Sequence, residues 1–163
     1  MFNAEIFPPY FHVSFRPNFR LVSTVRKFTE EFYDRMLGDR DASERLALAT
    51  HELLENAIAY ASDDETEVRV ELTEDVLIVK TWNHATPERL ANLKTMIDEV
   101  NGAPDPNAYY QQLMNKTAYR KDGSGLGLAR IRAEADMSIS YEVTTDRVCV
   151  AASTTVKRRE AAP

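Results

Sequence analysis

HELLENAIAYA, residues 51–61, and DGSGLGLARI, residues 122–131, decide how this chain is read. In the first, a carboxylate (Glu52) and an amide (Asn56) stand one helical turn apart. At about 100° per residue, Leu46, Ala49, Leu53, Ala57 and Tyr60 form one apolar stripe. Glu52 and Asn56 lie beside that stripe, with Leu48 and Ala59 on their other flank, and only His51 and Glu55 mark a plainly polar side. Polar groups set among apolar neighbours cost a few kcal/mol if they are buried without partners. Either a rim contact satisfies them or a ligand does. In the second stretch Gly123, Gly125 and Gly127 alternate just before an apolar helix. Such a backbone can approach a ligand closely, and the N–H groups at a helix start favour an anion such as a phosphate. Alone this loop is weak evidence, since a tight turn has the same composition. It also comes too late, and outside a βαβ unit, for a dinucleotide fold.

The bulk properties narrow the classes. A chain of 163 residues with 44% apolar content supports one domain with a full core. No apolar run reaches the roughly 20 residues of a membrane span, and MFNAEIFPPYF does not have the form of a signal peptide, so a cytoplasmic protein is expected. The net charge of −6 disfavours nucleic acid or an anionic membrane as partner. The single cysteine, Cys149, excludes an internal disulfide and reads as a small core residue.

YFHVSFRP alternates as a strand ending at Pro17. From Asn18 the spacing turns helical: Leu21, Val25, Phe28, Phe32 and Met36 form a stripe that stops near Gly38. A second helix is expected from an N-cap at Ser43 to about Ala61. TEVRVEL and VLIVKTW make a hairpin about Glu74–Asp75. Thr86 caps a third helix with Pro87 at its first position, carrying Leu90, Leu93 and Ile97 on one side. Residues 102–124, rich in Gly, Pro, Asn, Tyr and Lys, read as a long loop or lid. A helix from about Gly125 to Ala135 and two strands, SISYEVT and RVCVAAST, complete the pattern. The expected fold is an α+β two-layer sandwich over residues 1–156, its mixed, mostly antiparallel sheet covered by helices on one face, with 157–163 a frayed tail.

Taken together, the E-x-x-x-N helix, the hairpin, the lid and the G-x-G-x-G helix resemble the Bergerat-type ATP-binding domain of histidine kinases, gyrase-type ATPases and Hsp90. Within it, NFRLVSTVRKFTEEF and LALATHELLENAIAYA look like the start of the stand-alone anti-sigma-factor serine/threonine kinases of bacterial partner switching. The resemblance implies ATP and Mg²⁺ as cofactors. It makes Glu52 the general base toward a partner's hydroxyl and Asn56 the Mg²⁺ ligand. Gly123, Ser124, Gly125, Leu126 and Gly127 would bind the phosphates, while Lys116, Arg120 and Lys121 neutralise developing charge. The implied partner is a small anti-sigma-antagonist-like phosphoacceptor domain or a sigma-factor-like regulator, with room for a homodimer.

One segment departs from the family. Where D-x-G-x-G is expected, VKTWNHATP places Thr81 at the aspartate, Asn83 at the first glycine and Ala85 at the second. A charged hydrogen bond is worth about 1.5–3 kcal/mol and a neutral one about 1. Thr81 alone should therefore weaken adenine binding roughly ten- to thirtyfold. The alternative to a kinase is thus a pseudokinase of the same fold that sequesters its partner. HELLE also half-matches the metalloprotease H-E-x-x-H, but Glu55 stands at the second histidine and neither His12 nor His84 has motif spacing. Trp82 and Tyr60 read as core aromatics.

Overall fold

The computed structural model describes residues 10–62, 65–117 and 125–156. The elements run β1 (Tyr10–Phe15), α1 (Arg20–Leu37), α2 (Arg40–Tyr60), β2 (Thr66–Thr73), β3 (Val76–His84), α3 (Pro87–Gly102), α4 (Pro106–Thr117), α5 (Leu126–Glu134), β4 (Ser138–Thr144) and β5 (Arg147–Thr155). The strands form one sheet in the order β1-β2-β3-β5-β4. All four described pairings are antiparallel, as a mostly antiparallel sheet requires. Its inward face is aliphatic along most of its length: Val70 opposite Val79, Leu72 opposite Leu77, with Val68 beyond them. These side chains pack with Leu46, Leu53 and Leu54 of α2 and Leu128 and Ile131 of α5 in one core.

Capping sets the helix limits. α2 starts earlier than Ser43: Asp39 is the N-cap, and its Oδ1 accepts from Ala42 N at 3.1 Å. Ser43 is buried inside the helix and donates back to Asp39 O at 2.8 Å, the usual outlet for a helical hydroxyl. α1 ends at Gly38, whose φ of +62° is left-handed and whose N–H donates to Asp34 O. The expected α1 stripe is rotated. Val22, Thr29 and Tyr33 are buried, whereas Leu21 is exposed and Phe28 is 48% exposed, stacked on Phe32 at 5.6 Å and edge-on to Phe11 at 4.9 Å. Thr86 caps α3 as expected, with Pro87 in its first turn.

Three further expectations change. Residues 106–117 are helix rather than loop: Asp105 Oδ1 accepts from Asn107 N and Ala108 N at 3.0 and 3.1 Å, and Pro106 opens the first turn. Cys149 is half-buried and not in the inward core, because Val148 and Val150 take the inward positions of β5. Trp82, its partner across the ladder, shares that outer face, with the Arg147 guanidinium 5.9 Å from its ring centre. Among the described residues no helix is long and apolar enough to cross a membrane.

Candidate functional site

Two helices bring the first set of expected residues together. Glu52, in the middle of α2, is only 8% exposed. Its Oε1 accepts from Arg130 Nη1 on α5 at 3.0 Å. Its other oxygen lies over Gly127, where a Cβ would stand 2.5 Å from Oε2. Glycine at 127 is what allows the carboxylate to sit against the first turn of α5. Arg130 is itself held from the far side, Nε donating to Glu134 Oε2 at 2.7 Å. That bond and the Glu52 contact raise the guanidinium above its ordinary range against the effect of burial. From α4, Tyr110 faces the same cluster. Burial and then the Glu134 carboxylate push its phenol upward, with Arg130 opposing.

The start of α5 has the features of a helix N-terminus that could hold an anion. Gly125 is the N-cap at φ +69°, a left-handed conformation, and has no side chain to bond the first-turn N–H groups. Leu126 opens the helix and Gly127 follows. Met96 of α3 closes one flank, 3.4 Å from where a Gly125 Cβ would be, and also accepts from the Tyr60 hydroxyl. Asn56, one turn beyond Glu52, has a buried Nδ2 with no hydrogen-bond partner among the described residues. An unsatisfied donor of this kind calls for an acceptor that the described residues do not supply.

The second set lies at one end of β3. Thr81 and Asn83 face inward, 1% and 3% exposed. Thr66, directly across from Asn83, is buried with no partner for its Oγ1 among the described residues. Asn83 Nδ2 donates to His84 O, and Ala85 is buried with its N–H given to Asp146 O. This end of an otherwise aliphatic face is therefore polar but uncharged. Arg89, at the start of α3, bonds the Ala61 carbonyl at 2.8 Å and caps the end of α2. Gly123, Ser124, Arg120 and Lys121 lie outside the described residues. Lys116 lies exposed in the last turn of α4, and no described ion pair joins it to the site.

The anion end of the site fits a nucleotide phosphate: an uncapped helix start, a glycine gap and an orphaned amide. The other end offers hydroxyls and an amide where the resemblance would have a carboxylate. His51 Nδ1 is buried with no hydrogen-bond partner among the described residues. Its Nε2 pairs with Glu55 Oε1 at 3.3 Å, and no cluster of three or more His, Cys, Asp or Glu among the described residues could hold a metal ion.

Arg130, Glu134 and Tyr110 were not flagged by the sequence reading. The available signal was the spacing of Arg130, one turn after Gly127 and one turn before Glu134.

A family model for the histidine kinase-like ATPase domain matches residues 15–154. The chain belongs to that family. Membership implies ATP as the ligand of the histidine kinase-like ATPase site. The fold agrees: a chain of the SiaB–SiaC complex from Pseudomonas aeruginosa superposes with a TM-score of 0.64 at 13% identity, covering 90% of this chain and 89% of that one. A sequence comparison with curated proteins found no significant match.

Proposed function

We propose that this histidine kinase-like ATPase domain is a regulatory protein kinase of the anti-sigma-factor type, acting in the cytoplasm on a Ser or Thr of a small partner protein. The observation that carries this reading is Glu52: a nearly buried carboxylate with one oxygen tied to Arg130 and the other held against the glycine-flanked start of α5. ATP with Mg²⁺ would supply the transferable phosphoryl group. Gly125, Leu126 and Gly127 would hold its phosphates, joined by Gly123, Ser124 and Lys121, and Asn56 would hold the ion through its amide oxygen. Glu52 would take the proton of the partner's hydroxyl, whose oxygen would bond to the γ-phosphorus as ADP leaves. Thr81 and Asn83 read the base through neutral hydrogen bonds. The structural neighbour comes from a two-protein complex, which supports a dedicated protein partner. A sigma-factor-like regulator and a homodimer are compatible with the same site.

A second reading rests on the end of β3. Thr81, Asn83 and Ala85 are all buried where the family motif has aspartate and two glycines, which favours a chain that keeps the fold and sequesters its partner without transfer.

Label transfer from γ-labelled ATP to a co-purified partner separates the two. Wild type should give acid-stable label on Ser or Thr, and the isosteric Glu52→Gln should lower it about 10²–10⁴-fold while keeping partner binding. Equal partner binding with no label from either protein leaves sequestration as the function.

A further inference from the structure

We propose that Arg130 is the positioning residue for Glu52, fixing which carboxylate oxygen faces the reacting group. The proposal rests on the kinase reading for its catalytic consequence and on α2 and α5 for its geometry. A glutamate side chain has three rotatable bonds, and an unrestrained carboxylate presents either oxygen in many orientations. Here Arg130 Nη1 takes Oε1 at 3.0 Å, so Oε2 is the oxygen left over Gly127. The guanidinium cannot swing to follow Glu52, because Nε is bonded to Glu134 Oε2 at 2.7 Å and the group is planar. One cation between two carboxylates, on a single helix turn from the glycine gap, makes a rigid fork. A lysine could supply the charge but not both fixed bonds.

Two measurements decide this. The first reads turnover, as ADP formed from Mg–ATP at steady state with the co-purified partner present. Arg130→Met should lower kcat about 10- to 100-fold, the size expected when a reacting group is displaced by about an ångström. KM for ATP should stay within about twofold, because the phosphate-facing backbone is untouched. Arg130→Lys should recover part of the loss. In a Glu52→Gln background, Arg130→Met should change the remaining rate by less than about twofold, since two residues acting as one unit are not additive. A raised KM at unchanged kcat, or independent multiplication of the two losses, overturns the proposal.

The second measurement needs no activity. Arg130 holds Oε2 where an alanine at 127 would collide with it, so Gly127→Ala should lower Tm in wild type. It should lower Tm much less in Arg130→Met, where Glu52 is free to turn aside. If Arg130→Met does not fold, Arg130→Gln replaces it in the same cycle. Equal Tm losses in both backgrounds overturn the positional claim. A wild-type protein that forms no ADP with the partner present overturns the kinase reading instead, while the Tm cycle still decides whether Arg130 holds Glu52.

Discussion

Glu52 occupies the volume that a side chain at position 127 would need: a Cβ there would lie 2.5 Å from Oε2 and 3.4 Å from Cδ. Overpacking of this kind costs about 1–3 kcal/mol. An alanine in a helix is otherwise favoured over glycine by about 1 kcal/mol. Gly127→Ala should therefore destabilise wild type but stabilise a Glu52→Ala background. Thermal denaturation of the four proteins checks the change of sign, and a loss of equal size in both backgrounds would show that the collision is with something else.

Asn56 Nδ2 is buried and unpartnered among the described residues, and in the proposed site the amide oxygen of the same side chain would hold Mg²⁺. Asn56→Ala should reduce ADP affinity in Mg²⁺ about tenfold or more, and have much less effect in EDTA. Calorimetric titrations with and without the metal give both numbers. Identical losses in the two conditions would remove Asn56 from the metal site.

Thr81→Asp should tighten ADP binding about tenfold by restoring a charged hydrogen bond. Because Thr81 is 1% exposed, the same carboxylate should destabilise the nucleotide-free chain by a few kcal/mol. Saturating ADP should return most of that stability. If the variant loses stability and ADP restores none of it, the adenine does not meet position 81.

Burial pushes the Cys149 thiol from 9.0 to about 11, with Lys80 and Arg147 opposing and Glu142 adding to the rise. Below pH 9 both folded and unfolded thiols are protonated and the contribution to stability is complete. It is lost as pH rises through about 11, because only the unfolded thiol ionises readily in between. At pH 8, iodoacetamide should modify native Cys149 at least about tenfold more slowly than the urea-unfolded chain. Comparable rates would place the thiol in contact with solvent.

Much of the architecture was legible because it is local. Alternation in TEVRVEL and VLIVKTW gave the hairpin, and Thr86 with Pro87 gave the start of α3 to the residue. What escaped was the choice of face and the distant partner. Periodicity could not tell that Val22 and Tyr33 point inward while Phe28 does not, since all are apolar. It put Cys149 and Trp82 inside because β5 and β3 carry large side chains on both faces. Pro, Asn and Tyr disguised α4 as loop, although Asp105 was a competent cap. The family match was readable from Glu52, Asn56 and the glycines, yet Arg130 meets Glu52 across 78 positions of sequence and no local pattern announces that.

The strand order carries a consequence for how the protein is made. β3 and β5 are neighbours at the middle of the sheet, from Val76 opposite Thr155 to His84 opposite Arg147, while α3, α4, α5 and β4 all intervene in the chain. The β2–β3 and β4–β5 hairpins can form within about 1–10 μs. Their union must wait for closure of that long intervening segment, the slow kind of step in a fold of this type. Gly127 lies within that segment and Glu52 ahead of it, so their meeting belongs with the same slow closure. A nucleotide arriving at the finished site should then lengthen the lifetime of the folded protein and leave its refolding rate nearly unchanged.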